Sequence, residues 1–149
     1  MIHLHPLSAT NFDHVIALAV GPDQTEFVAT NLLSIAQSKV HAYLEPIVIY
    51  LDEIAIGFSL HGKDPDTGRV FIVRLMIDHR FQRRGHGKAA TLLLIGKLRA
   101  SYQVRSLFVS IVPANHPADH LYRSLGFLPT GERDEDGEII MQLAEDSAG

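Results

Sequence analysis

The chain contains no cysteine. That one absence excludes disulfides, cysteine-bound zinc and a cysteine acyl-enzyme intermediate. No apolar run approaches the length of a membrane span. The first residues lack the basic segment followed by an apolar core that marks a signal peptide, so a cytoplasmic location is expected. Surplus positive charge is missing too: 13 Lys and Arg against 17 Asp and Glu give a net charge of -4, whereas general nucleic-acid binding demands a basic face. There is no linker, low-complexity tract or internal repeat. What remains is ordinary for a globular chain, with 46% hydrophobic and 20% charged residues in 149. One domain spanning 1–149 with a real core is expected.

The chain reads as alternating elements. Ile2 to Leu7 is a short strand, and Thr10 and Asp13 are placed to cap a helix running to about Val20, before Gly21-Pro22. A second helix is predicted from Thr25 to Lys39, with Phe27, Val28, Leu32, Ile35 and Ala36 at helical spacing. Strands Pro46–Leu51 and Ile54–His61 flank an Asp52-Glu53 turn, and Gly62 to Gly68 is a loop by composition. Arg69 to Ile77 is a further strand, followed by a helix from Gly85 to Ser101 that turns Ala90, Leu94 and Leu98 inward. Arg105 to Val112 reads as a buried strand and Ala118 to Leu125 as a short helix ended by Gly126. Leu128–Arg133 and Glu138–Leu143 form a hairpin about Asp136-Gly137.

The most informative stretch joins the strand ending at Ile77 to the helix after it. Three arginines and one lysine lie between Arg80 and Lys88 with no carboxylate among them. Gly85 and Gly87 let the backbone turn tightly and approach a ligand, and a helix start offers unpaired N–H groups to an anion. The stretch therefore reads as a phosphate cradle, the alternative being an ordinary strand–loop–helix turn with surface arginines. A P-loop is excluded, because Gln82 replaces its first glycine and Ala89 its magnesium-binding hydroxyl. A dinucleotide fingerprint matches Gly85-His86-Gly87-Lys88-Ala89-Ala90 literally. It fails on context, since seven residues separate Ile77 from Gly85 and no acid occurs between Asp78 and Asp119 to hold a ribose.

A third pattern fits. Gln82-Arg83-Arg84-Gly85-His86-Gly87 after Leu75-Met76-Ile77-Asp78 resembles the acetyl-coenzyme A loop of the GNAT N-acetyltransferases. A second segment, with Asn115, Ala118, Leu121, Tyr122, Gly126 and Phe127, resembles that family's N-x-x-A-x-x-L-Y-x-x-x-G-F run. The likeness covers nearly the whole chain and is closest to the bacterial diamine acetyltransferases acting on spermidine and spermine. Their "GRVxxxRxxIDxRxQxxGxGK" run is matched from Gly68 to Lys88, and their "GFxxxGExxxxGE" ending by Gly126, Phe127, Gly131, Glu132, Gly137 and Glu138.

This resemblance implies a mixed α/β fold with helices on both faces. Its central sheet is mostly antiparallel and splayed at the strand before the acetyl-coenzyme A loop. It implies acetyl-coenzyme A as co-substrate, with the diphosphate on the amides of Gln82, Arg83, Arg84, Gly85, His86, Gly87 and Lys88. Pantetheine would add beside Leu75, Met76 and Ile77 and be held by Asn115. Tyr122 would lie near the sulfur, and a phenol with pKa of about 10 can protonate a departing thiolate. The alternative for Tyr122 is a core aromatic with its hydroxyl at the surface.

The acceptor amine is a polyamine by this reading. Other acceptors are a protein N-terminus or an aminoglycoside, and a different-class alternative is a non-catalytic acyl-coenzyme A-binding regulatory module. No general base is assigned, because Val73 stands where an acid is expected and Arg74 is the one charged residue from Val70 to Ile77. The remaining acids near the active edge are Glu26, Asp52, Glu53 and Asp78, of which Glu26, Glu53 and Asp78 are candidates for amine binding. A homodimer is compatible with the sequence. Neither a metal nor nucleic acid nor a membrane is expected as partner. His116 and His120 stand four apart but lack further ligands, and Gly57-Phe58-Ser59-Leu60-His61 fails as a nucleophile elbow because His61 replaces the last glycine. Leu92 to Ile95 are explained as a helix covering a sheet.

Overall fold

From Leu44 to Ile77 β-branched, aromatic and leucine residues dominate, interrupted by an Asp-Glu turn and a loop rich in Gly, Pro and Asp. Such residues fit a pleated, half-buried surface. In the computed structural model, which describes residues 1–144, this stretch forms β2 (Leu44–Leu51), β3 (Ile54–Lys63) and β4 (Val70–Ile77). They join β1 (Ile2–Pro6), β5 (Leu107–Ile111), β6 (Leu128–Arg133) and β7 (Ile139–Leu143) in one seven-stranded sheet of order β1-β2-β3-β4-β5-β7-β6. Neighbours are antiparallel except β4 and β5, which run parallel. The helices are α1 (Phe12–Ala17), α2 (Asn31–Val40), α3 (His86–Tyr102) and α4 (His116–Ser124). The fold is mixed α/β with a mostly antiparallel sheet, as the resemblance implied.

Alternation along the strands feeds two faces. Val48, Phe58, Leu60 and Met76 point to the front, where Val15 and Leu18 of the α1 region cover them. Ile47, Val70, Ile72, Leu107, Val109 and Met141 point to the back, against Leu94, Ile95 and Leu98 of α3 and Tyr122 and Phe127 of the α4 region. Fully burying one such large apolar side chain contributes about 1.5–3 kcal/mol, so the two clusters fix the layers.

Two irregularities shape the centre of the sheet. Leu60 pairs with Arg74 but His61 pairs with Ile72, leaving Val73 as an extra residue in β4. This bulge flips the alternation: Ile72 faces back before it and Leu75 and Ile77 after it, while Val73 packs with the front cluster. Beyond the bulge β4 also loses its parallel neighbour. Its pairing with β5 is confined to Phe71–Phe108 and Ile72–Val109. From Val73 onward the sheet is splayed.

Several expectations are corrected at the N-terminal third. The first helix starts after Asn11, with neither Thr10 nor Asp13 capping it, and ends at Ala17 rather than Val20. It stops early because the Ala19 amide donates to the Asp78 carboxylate and the His79 amide donates to the Ala19 carbonyl, holding the chain extended. The second helix starts at Asn31, capped by Thr30, whose hydroxyl accepts from the Leu33 amide at 3.2 Å. Residues 25 to 27 form turns after a short 3-10 segment, Pro22–Gln24, so Glu26 lies in a loop. The register shifts accordingly: Leu32 and Ala36 face outward, and Asn31 and Ser34 face inward. Gly62 and Lys63 extend β3 rather than opening the loop; a Cβ at Gly62 would lie 2.3 Å from the Tyr43 carbonyl oxygen, so only glycine fits there. On α3 the sheet covers Leu94 and Ile95, while Leu92 and Leu93 are 54% and 43% exposed.

Candidate active site

After Ile77 the chain makes a compact staple before α3 begins. Asp78 is buried and caps a 3-10 turn, His79–Phe81. Its carboxylate accepts from the Ala19 amide (3.0 Å), the Arg80 amide (3.0 Å) and the Arg80 Nε (2.8 Å). Burial alone would raise its pKa; the Arg80 guanidinium and the two amides outweigh it and hold the carboxyl below its usual range. Asp78 thus fixes the loop base and has no free face for an amine. Gln82 donates to the Ile77 carbonyl at 2.8 Å and exchanges two amide hydrogen bonds with Gln24. It too is a staple.

Next comes a cradle of free donors. Arg83 (φ 63) and Gly85 (φ 81) both adopt the left-handed conformation, and Gly85 caps α3 without any side-chain bond. Among the described residues no amide from Arg83 to Lys88 has a hydrogen-bond partner. Successive unpaired N–H groups at a helix start make an anion site, and Arg83, Gly85, His86 and Gly87 line one hollow. The glycines are consistent with this use: nothing lies within 4 Å of a Cβ built at Gly85, and one at Gly87 would meet only Ile77 at 3.7 Å. The space they leave open lets a ligand approach the backbone closely. The side chains of Arg83, Arg84 and Lys88 are exposed, and that of His86 is half-buried.

The splay opens two hollows that meet. The first, of about 530 Å³, has walls from Leu75, Met76 and Ile77, from Gln82, Arg83 and Gly85 to Gly87, and from Asn115, Leu121 and Tyr122. The second, of about 300 Å³, is lined by Glu26, Arg74, Ser110, Asn115, Tyr122 and Glu138 among others. Phe27, Val28, Leu75, Asn115, Ala118 and Tyr122 belong to both. A long anionic ligand seated in the first therefore ends where a small molecule in the second begins.

Tyr122 stands at that junction. It is 6% exposed, packed edge-on to Phe127 at 5.3 Å, and its hydroxyl makes no hydrogen bond among the described residues. Burial raises the phenol pKa well above its usual value, so it stays protonated throughout the physiological range. Asn115 caps α4, its Oδ1 accepting from the Ala118 amide at 3.2 Å; its amide nitrogen has no partner among the described residues, and the residue borders both hollows. Glu138, half-buried where the β6–β7 turn enters β7, reaches the second hollow together with Glu26. Burial raises its pKa, Asp134 and Asp136 add to the rise, and Arg74 opposes it.

Sequence reasoning had placed Glu138 only as a matched position, without a role. The signal was its place immediately after the Gly137 turn, but only the fold sets it opposite Arg74 and Tyr122. Glu53 and Asp52 are not brought to this cleft. They border a separate hollow with His3, His5 and Tyr50, where Asp52 pairs with the Met1 amine at 2.6 Å. Of the three acids expected to meet an amine, Glu26 alone lines the cleft. Arg84 and Lys88 stand at the cradle without lining the first hollow. Among the described residues no helix is long and apolar enough to cross a membrane.

Residues 19–127 match the model of the acetyltransferase (GNAT) family. The chain belongs to this family. The matched span contains β4, the cradle, α3 and Tyr122, and acetyl-coenzyme A is the co-substrate that membership brings. A spermine/spermidine N(1)-acetyltransferase of Bacillus subtilis is 29% identical over 146 residues, covering 94% of this chain and 96% of that protein. Among solved structures, an aminoglycoside acetyltransferase in complex with coenzyme A is similar at a TM-score of 0.80 and 16% identity, covering 97% of this chain and 95% of that one. The ribosomal-protein-S18-alanine N-acetyltransferase of Escherichia coli is similar at 0.70 and 22% identity, covering 100% and 97%. These two share the fold while acting on different amines, so the acceptor has to be argued from the second hollow.

Proposed function

We propose that this acetyltransferase moves the acetyl group of acetyl-coenzyme A directly to a primary amine of a polyamine. The observation that carries the reading is the meeting of the two hollows at Tyr122, one floored by free amides and the other bordered by Glu26 and Glu138. The amides of Arg83 to Lys88 hold the diphosphate, the unpaired β4 edge from Val73 to Ile77 receives pantetheine as a strand, and the Asn115 amide group donates to it. The thioester then lies beside the phenol.

An alkylammonium has a pKa of about 10.4, so it must lose a proton before it can attack. Glu138 is the acid to which we assign that proton: its raised pKa makes it a stronger base than a solvated carboxylate, and it faces the amine hollow. The amine nitrogen forms a bond to the thioester carbon, the carbon–sulfur bond breaks as Tyr122 gives its proton to the departing thiolate, and the second proton lost by the nitrogen as it becomes an amide restores the phenol. No covalent enzyme intermediate is needed, in keeping with a chain without cysteine. The acids of the hollow suit a polycation, and the 29%-identical spermine/spermidine acetyltransferase supports the same class.

A thiol-release assay with acetyl-coenzyme A and a panel of spermidine, spermine, N-terminal peptides and aminoglycosides tests this. Spermidine or spermine is expected to give the highest kcat/KM. Turnover confined to peptides or aminoglycosides rejects the polyamine reading.

A further inference from the structure

The front face carries a third hollow, next to the amine site and not needed to explain transfer. It measures about 280 Å³, and its walls include Tyr43, Asp64, Phe71 and Asp134. Val73 and Ser110 border both this hollow and the amine hollow. Ser110 pairs with Ile140 across β5 and β7, and Ile140 is another wall. The two hollows thus follow one another along β4, from the splay toward the β3–β4 loop.

The third hollow has the chemistry of a cation site. Arg69 is its only base, and that guanidinium is already held by Glu132 at 3.1 and 3.3 Å and stacked 4.6 Å over Phe108. Asp64 and Asp134 are left without a cationic partner among the described residues. Each spends Oδ1 on its own turn, Asp64 accepting from the Asp66 amide and Asp134 from the Asp136 and Glu138 amides. The rings of Phe71 and Tyr43 provide aromatic faces that attract an ammonium. Phe71 packs against Phe108 at 5.4 Å yet is only half-buried, and Tyr43, 6.0 Å from His41, is 41% exposed, and both border the hollow.

We infer that this hollow is a distal subsite for the acceptor, binding the far ammonium of a linear polyamine whose near amine sits beside Tyr122. The inference rests on the polyamine reading above. It adds a ruler: an amine long enough to pass Val73 and Ser110 gains a second anchor, and a short one does not.

The test compares butylamine, spermidine and spermine as acceptors for the wild type, Asp64→Asn and the Asp64→Asn/Asp134→Asn double variant. Asparagine keeps the Oδ1 that each turn requires, so the melting temperatures are expected to match. The double variant should raise the KM for spermine roughly fivefold or more, the range of two weak charge contacts. The single variant Asp64→Asn, whose carboxylate is not among the groups acting on Glu138, should leave the KM for butylamine and acetyl-coenzyme A unchanged. In the wild type, added salt should raise the spermine KM more than the butylamine KM. Equal KM changes for long and short amines, or no change in an active enzyme, overturn the subsite and leave the polyamine reading standing. A wild type that acetylates none of the three overturns both.

Discussion

Tyr122 and Glu138 have environments that push them to opposite tasks. Burial keeps the phenol protonated, and partial burial among other acids makes the carboxylate more basic. Tyr122→Phe removes the proton and preserves the contact with Phe127. The expected result is a fall in kcat of about 10²-fold, within the usual range for an acid–base residue, while coenzyme A affinity measured by calorimetry changes little. Glu138→Gln should lower kcat and flatten the acid limb of the pH–rate profile. The sign follows from its role: a base acts only when deprotonated, so wild-type rate rises with pH through the Glu138 pKa, and glutamine has no such transition. A profile that keeps its acid limb in the variant assigns the proton to another group.

The cradle separates two demands on one element. Gly85 needs its left-handed conformation, so an alanine there would be strained. Gly87 is helical and sterically free, and a Cβ there meets only Ile77 at an ordinary 3.7 Å. Gly87→Ala is therefore expected to stabilise the free protein by up to about 1 kcal/mol through helix propensity. It should at the same time reduce the coenzyme A-induced rise in Tm, because the methyl occupies space beside the free amides. A substitution that improved both would show that no ligand passes over Gly87.

Such local logic explains what was legible in the sequence. The cradle, the α3 start and the Asp136-Gly137 turn depend on short-range chemistry, and the chain spells them out in order. The bulge at Val73 left no mark, since one more β-branched residue in a β-branched run changes nothing locally. Its effect, turning Arg74 toward the amine hollow, depends on pairing with β3. Glu138 became meaningful only once β7 was laid beside β5. Glu53 misled for the reverse reason: a turn acid near the cradle in the strand order lies with His3 and His5 in space. The α1 boundary failed because Asp78, far along the chain, holds Ala19 extended.

Across the whole molecule, His61 couples stability to pH. Its ring is buried, with Nε2 3.1 Å from the Glu45 carboxylate, Nδ1 without a partner among the described residues and Tyr102 edge-on at 6.2 Å. Burial lowers its pKa; Glu45 pulls the other way without overcoming it, and Lys97 adds to the lowering. The unfolded histidine titrates near the usual value of about 6.5. Below that pH the unfolded chain binds a proton that the folded one resists, so the His61 contribution is present above about 6.5 and lost as the solution is acidified. Urea midpoints are expected to fall from pH 7.5 to 5.5, and His61→Gln should reduce that slope. An unchanged slope would remove His61 as the cause.

The two-pair seam between β4 and β5 also bears on the order of events in a catalytic cycle. The sheet halves are joined like the leaves of a book whose spine is Phe71–Phe108 and Ile72–Val109. Leu75, Asn115 and Tyr122, three of the six walls common to donor and acceptor hollows, stand on both leaves. In the proposed placement the donor lies along the seam and forms one wall of the space left to the amine. The kinetics expected from that proposed placement are an ordered cycle, donor first and free coenzyme A last, checked by product inhibition: coenzyme A should compete with acetyl-coenzyme A and not with the amine.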